Sequence, residues 1–114
     1  MAITVTPHPK RVRVRFNGRT VADTTQALAL QEGGHGTVLY IPRADAEMGL
    51  FARTARSSHC PYKGDAAYYT LTAGGIVARN AVWTYEQPHP AVGEIAGHLA
   101  FYPGKVDAIE ELNG

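Results

Sequence analysis

The segment from His59 to Asp65, His-Cys-Pro-Tyr-Lys-Gly-Asp, concentrates side chains that could do chemistry. A lysine followed by a glycine offers a point charge beside exposed backbone N–H groups, an arrangement that suits an anion. The segment therefore predicts a loop that binds a small anionic ligand. Its candidate ligand-binding residues are Lys63, Gly64, Tyr62, His59 and Cys60.

Cys60 also indicates a second hypothesis, an enzyme that uses Cys60 or His59 near the same pocket. The thiol of Cys60 would become a nucleophile if its thiolate were stabilised, and Lys63 could lower its pKa. A third hypothesis is a non-catalytic module that forms a homo-oligomer such as a homodimer. An ordinary structured loop, with Cys60 as a small buried side chain, accounts for the same residues. The sequence leaves these alternatives open.

Trp83 and Tyr85 lie two positions apart, so both side chains would point to one face of a strand. Tyr68 would stand across from them if the strands that carry these residues pair. Such an aromatic wall can stack a planar group such as a nucleobase, although ordinary core packing is the favoured interpretation of Trp83. If the aromatic wall lines a pocket, we expect its anionic ligand to be nucleotide-like. Arg43 could complete the anion pocket if folding brings it near Lys63.

Arginines alternate with apolar residues from Arg11 to Phe16, which predicts three positive charges on one face of a strand. We interpret that face as solvated sheet surface or a protected edge, and not as a phosphate site. Neither the five histidines nor the single cysteine has the spacing of a metal site. No P-loop and no Gly-x-Ser-x-Gly motif is present. We therefore predict no metal and no cofactor.

The chain has 114 residues, of which 45% are hydrophobic, and a formal net charge of +1. These values predict one globular domain over residues 1–114 and exclude bulk attraction to duplex DNA or an anionic membrane. We accordingly expect neither a specific nucleic acid nor a membrane as partner. A signal-peptide pattern and a run of about 20 apolar residues are both absent, so we expect a cytoplasmic location.

Short strands separated by turn residues must position the candidate side chains. Asn17-Gly18 predicts a two-residue hairpin turn between strands over 11–16 and 19–23. Further strands are predicted over 25–32, 37–41, 50–56, 66–72, 76–85 and 99–102, with a polar loop over 57–65. One helical turn at 43–47 and two turns at 91–96 are also predicted. The fold class that follows is mainly β, a compact antiparallel domain with one or two short helices.

Motifs over 12–18 and 21–24, 40–45, 59–66 with Tyr68, 83–85 and 95–103 cover nearly the whole chain. In this order they resemble the bacterial domain-of-unknown-function 427 family, which is uncharacterised and loosely labelled nucleotidyltransferase. The resemblance implies a β-tent-like fold, similar to Mss-four-like proteins. Some of those proteins hold zinc with two Cys-x-x-Cys pairs, a site that this sequence lacks. A nucleotidyltransferase needs carboxylates that hold Mg²⁺, and no paired Asp motif stands beside a phosphate loop here.

Overall fold

The structure is a computed structural model and describes residues 2–113. The strands within that range are β1 (Ile3–Pro7), β2 (Arg11–Phe16), β3 (Arg19–Thr24), β4 (Leu28–Glu32), β5 (Thr37–Tyr40), β6 (Phe51–Cys60), β7 (Gly64–Ala73), β8 (Ile76–Tyr85), β9 (Leu99–Phe101) and β10 (Ala108–Leu112). Short 3₁₀ segments span Arg43–Asp45, Met48–Leu50, Pro90–Ile95 and Pro103–Lys105. No helix in this range has the length and hydropathy needed to cross a bilayer.

The strands form three antiparallel sheets, in the orders β1-β4-β5, β10-β2-β3 and β6-β7-β8-β9. A single bridge between Ile41 and Leu99 joins the end of β5 to β9 of the four-stranded sheet. The predicted mainly β, antiparallel fold class is confirmed.

Apolar and charged side chains alternate along β2, and the apolar ones bury one face of the sheet that β2 shares with β3 and β10. Val12, Val14 and Phe16 are buried, and the arginines between them face the other way. Asn17 and Gly18 both have positive φ, 49° and 75°, as the predicted type I′ turn requires. This hairpin is therefore confirmed as the sequence predicted it.

The interior consists of two hydrophobic clusters, and β7 supplies both. Tyr69 packs in the cluster that contains Val14 and Phe16, whereas its neighbour Tyr68 packs in the cluster that contains Leu30 and Ile95. Successive side chains of a strand point to opposite faces, so one strand serves two cores. The candidate site belongs to the second cluster.

The predicted loop over 57–65 is wrong. β6 continues through Cys60 and pairs with β7 from Gly64, so only residues 61–63 turn. His59 and Cys60 therefore lie in a strand. Gly64 has φ of 112°, a conformation that other residues rarely adopt, and this allows β7 to start immediately after the turn.

Other boundaries also differ from the predictions. β4 begins at Leu28 and not at residue 25, and the predicted turns of helix are 3₁₀ segments, Arg43–Asp45 and Pro90–Ile95. The latter is interrupted at Val92, whose ψ of 28° and φ of −126° are not helical. Each segment begins at or just after a proline and is too short for a stable α-helix, which favours the tighter 3₁₀ geometry.

Candidate functional site

A cavity of about 260 Å³ lies between the β1-β4-β5 sheet and one face of the four-stranded sheet. Five aromatic side chains line this cavity, which we call the aromatic pocket. They are Tyr40, Tyr68, Trp83, Tyr85 and Tyr102. The remaining lining residues are Leu30, Glu32, His35, Gly36, Val38 and Lys63. The pocket wall therefore combines aromatic and aliphatic side chains with hydroxyl and charged groups.

The pairing of β7 with β8 positions the aromatic wall. Tyr68 stands directly opposite Trp83, as expected from the sequence. The Trp83 indole N–H donates to the hydroxyl of Tyr40 at 3.3 Å, and the Trp83 ring centroid lies 4.5 Å from that of Tyr102. These contacts hold the indole in one orientation, so the pocket wall is preorganised.

An ion pair forms the charged part of the wall. Lys63 Nζ donates to Glu32 Oε1 at 2.7 Å, and the two side chains are only 13% and 19% exposed. Burial lowers the pKa of Lys63, but the hydrogen bond to Glu32 and the nearby Cys60 raise it by more. The pKa of Lys63 therefore lies above its ordinary value. Lys63 is therefore a charged donor whose positive charge is balanced by a neighbouring carboxylate.

Tyr68 is the pocket tyrosine whose pKa is lowered. Its hydroxyl lies 2.8 Å from Ser58 Oγ, and the guanidinium carbon of Arg56 lies 4.8 Å from its ring centroid. Burial raises the pKa of Tyr68, but hydrogen bonds with Ser58, Tyr102 and Arg56 and the charge of Arg56 outweigh it. The pKa of Tyr68 consequently lies below the ordinary value.

The other pocket tyrosines respond in the opposite direction. Burial raises the pKa of Tyr85 and of Tyr40 above the ordinary value. Burial and the hydrogen bond with Tyr68 raise the pKa of Tyr102 to about 12. These three hydroxyls are therefore protonated at neutral pH and can donate hydrogen bonds.

Of the residues singled out in the sequence, the structure brings Lys63, Trp83 and Tyr85 together in the aromatic pocket. The Lys63 ammonium lies 5.9 Å from the Tyr85 ring centroid. Cys60 is half-buried and packs against the second hydrophobic cluster. Tyr62 points outward and is 47% exposed.

His59 and Gly64 lie at a different cavity. His59 Nδ1 is 2.7 Å from Asp65 Oδ1 on the exposed face of the β6–β7 hairpin. Gly64 and His89 line the same cavity. Within residues 2–113, no group of three or more His, Cys, Asp or Glu side chains could hold a metal ion.

Arg43 does not reach Lys63. Its guanidinium donates to the hydroxyl of Tyr69 and lies 5.4 Å from that ring centroid. Tyr69 and Tyr68 point to opposite faces of β7, so Arg43 is on the far side of the sheet from the aromatic pocket.

Sequence reasoning missed Glu32, Tyr40 and Tyr102. Alternation along β4 could have placed Glu32 on one face with Leu30, since the two residues are two positions apart. The partner of Glu32, Lys63, is 31 positions away in sequence, and no local pattern indicates that contact.

One known protein family matches almost the whole chain. A family model described as a domain of unknown function, DUF427, matches residues 4–112, from β1 to the end of β10. Among curated proteins, none matches the chain.

Proposed function

The chain belongs to the DUF427 family, and we propose that it binds a small planar molecule in the aromatic pocket. One observation carries the proposal, a cavity of about 260 Å³ with five aromatic side chains and one ion pair in its wall. Clefts that combine aromatic side chains with a few well-placed polar groups are typical small-ligand sites. Aromatic walls favour flat ligands because rings stack with little loss of conformational freedom.

The Lys63–Glu32 pair indicates which edge the planar molecule presents. Lys63 offers N–H donors and Glu32 offers carboxylate acceptors, and the two groups are adjacent because Lys63 Nζ lies 2.7 Å from Glu32 Oε1. A ligand edge that carries an acceptor beside a donor, such as an amide or a nucleobase edge, would satisfy both groups. A free anion at Lys63 would instead compete with Glu32, so this pair of polar groups favours a neutral ligand edge over an anionic one.

The other functions expected from the sequence stay predictions. Cys60 packs against the second hydrophobic cluster and His59 pairs with Asp65 on the surface, outside the aromatic pocket. Catalysis by either residue, a homo-oligomeric state and a cytoplasmic location gain no support from this geometry. The pocket therefore carries the proposal alone.

Trp83 is the single tryptophan of the chain, so its fluorescence reports on the pocket directly. We expect uncharged planar compounds, with adenosine and the nucleobases among them, to change Trp83 emission in a saturable manner. Tyr102→Ala should weaken that binding by about tenfold or more, because stacking on an aromatic side chain contributes about 1–3 kcal/mol. Tyr62→Ala is the matched control, since Tyr62 is an exposed tyrosine outside the pocket, and it should leave the affinity unchanged.

Two results would contradict the proposal. The first is a panel of planar compounds in which none shifts Trp83 emission or raises the melting temperature, since a ligand of the native state must stabilise it. The second is an equal loss of affinity in Tyr102→Ala and Tyr62→Ala, which would place the bound compound outside the pocket.

A further inference from the structure

A cavity of about 340 Å³, separate from the one at His59 and Gly64, adjoins the aromatic pocket. All of its charged lining residues are positive. Arg56, Arg79 and Lys105 line it together with Asn80 and Tyr102. We call the three cations the cationic cluster.

The cationic cluster lacks the carboxylate partners that five other basic residues have. Within residues 2–113, ion pairs involve Arg11, Arg13, Arg19, Arg53 and Lys63, but none of the three cluster residues. Lys105 Nζ donates to the carbonyl oxygen of Arg79 at 2.7 Å, and Arg56 stacks on Tyr68. Three positive charges therefore surround one cavity without an ion pair to another described residue, and an anion there would relieve their mutual repulsion.

Two irregularities in strand pairing place the arginines. The β6–β7 register shifts between Arg53 and Ser57, the interval that contains Arg56. The β7–β8 register shifts opposite the β8 segment between Ala78 and Val82, which contains Arg79. Bulges of this kind re-aim side chains and occur next to functional sites.

Asn80 stabilises the irregular part of β8. It has φ of 50°, a conformation that asparagine tolerates better than most residues, and its backbone N–H donates to Thr70 Oγ1 at 3.1 Å. Its side-chain oxygen accepts a hydrogen bond of 2.6 Å from Thr54 Oγ1 on β6. The bulged segments of β6 and β8 are therefore joined at the cationic cluster.

The cationic cluster and the aromatic pocket share walls. Tyr102 lines both cavities, and Tyr68 of the aromatic pocket lies under the Arg56 guanidinium of the cluster. We infer that the two cavities bind one ligand, a planar ring in the aromatic pocket joined to a phosphate group at Arg56, Arg79 and Lys105. Arginine forks match phosphate oxygens, and lysine adds a point charge. This inference rests on the proposed function and names the chemical class of its ligand.

The first test uses inorganic phosphate and the variant Asn80→Asp. Aspartate also tolerates positive φ and can accept the Thr54 hydrogen bond, but it places a negative charge among the three cations. Phosphate, compared with chloride at equal ionic strength, should raise the melting temperature of the wild type. Asn80→Asp should weaken phosphate binding by about tenfold or more, because the added carboxylate repels phosphate and competes with it for the three cations.

Arg13→Gln is the matched control, because it changes the net charge by the same amount at a distant, ion-paired arginine. Its phosphate affinity should stay within about twofold of the wild type, since screened charges at a distance contribute little. Equal losses in Asn80→Asp and Arg13→Gln would show that phosphate responds to net charge alone, and would overturn the inference.

The second test compares adenosine with adenosine monophosphate, using Trp83 fluorescence. In the wild type the phosphate should tighten binding by about tenfold or more, and Asn80→Asp should remove that advantage while adenosine binds as before. Equal affinity of both compounds in the wild type would overturn the inference and leave the aromatic-pocket proposal standing. Phosphate binding without any effect of either compound on Trp83 would contradict both, because the cationic cluster would then be an isolated anion site.

Discussion

Two positively charged regions of this chain differ in what surrounds their arginines. One is the arginine row, which consists of Arg11, Arg13 and Arg15 on β2. Arg11 Nε donates to Asp23 at 2.7 Å, Arg13 Nε donates to Glu110 at 2.7 Å, and Arg15 donates to the carbonyl oxygen of Gly18 at 2.8 Å. The other region is the cationic cluster, where the described residues supply no carboxylate.

Acidic residues on the neighbouring strands explain the difference, since the β2–β3 pairing has a register shift of its own between Val14 and Arg15. β2 lies in the middle of its sheet, and the residues opposite Arg13 are Asp23 on β3 and Glu110 on β10. Cross-strand pairs of opposite charge stabilise such a sheet. Arg56 and Arg79 also lie at register shifts, but neither forms an ion pair with another described residue. The comparison indicates that the lack of ion pairs, and not the density of positive charge, distinguishes the proposed phosphate site from the arginine row.

The largest expected effect concerns the strand that carries the arginine row. Phe16 is buried on the other face of β2, so Phe16→Ala should lower the free energy of unfolding by about 3–5 kcal/mol. Val77, on β8 two residues before Arg79, is 53% exposed, and Val77→Ala should change it by less than about 0.5 kcal/mol. Urea denaturation measures both. A large loss for Val77→Ala would contradict the view that this end of β8 is surface.

A second, smaller effect should appear if the carboxylates are removed from the arginine row. In the double variant Asp23→Asn, Glu110→Gln, two arginines lose their charged partners while the fold is retained. The row should then gain measurable phosphate binding, weaker than that of the cationic cluster. Glu110→Gln alone should destabilise the fold by no more than about 1 kcal/mol, as is usual for partly exposed ion pairs.

Thermal shift in phosphate, with chloride at equal ionic strength, measures this gain. The single variant Glu47→Gln, which frees the exposed Arg19 away from both regions, serves as control and should bind no phosphate. If the double variant also fails to bind phosphate, uncompensated charge is not sufficient, and the bulged geometry of the cationic cluster supplies the rest.

The elements that sequence reasoning predicted are those whose patterns are local. Alternation along β2 and the Asn17-Gly18 turn specified that hairpin, and the spacing of Trp83 and Tyr85 placed both in the aromatic pocket. The predicted strand over 50–56 ends four residues before β6 does, because β6 is an edge strand whose residues from Ser57 to His59 are polar and exposed. Polar edge strands have the composition of loops, so composition could not separate them.

Lys63 was predicted as a site residue, but the partners of the charged groups could not be predicted, because those contacts depend on long-range pairing. The Lys63–Glu32 contact requires the turn after β6 to meet the end of β4. The cationic cluster requires register shifts in two different strand pairs, and a shift is a property of the pair and not of either sequence segment. Strands β1 and β10 were not predicted either.

The smallest expected effect is on the pKa values of neighbouring groups. Each of the two regions changes the pKa of a different group. In the arginine row, the hydrogen bond from Arg11 lowers the pKa of Asp23. In the cationic cluster, Arg56 helps to lower the pKa of Tyr68, against the effect of burial. Ultraviolet absorbance should therefore detect tyrosinate below the ordinary tyrosine pKa of about 10. Tyr68→Phe should remove that absorbance, Arg56→Met should shift it to higher pH, and Arg11→Met should leave it unchanged.

The sign of the effect on stability separates Tyr68 from Tyr85. The pKa of Tyr68 is lower in the folded chain than in the unfolded one, so Tyr68 contributes stability above pH of about 10 that is lost as pH falls through its folded pKa. The pKa of Tyr85 is raised by burial, so its contribution is complete below pH of about 10 and is lost as pH rises above it. Tyr85→Phe should consequently flatten the alkaline loss of stability, whereas Tyr68→Phe should steepen it. A steeper loss in Tyr85→Phe, or no change in either variant, would show that neither the Arg56 charge nor burial in the aromatic pocket sets these ionisations.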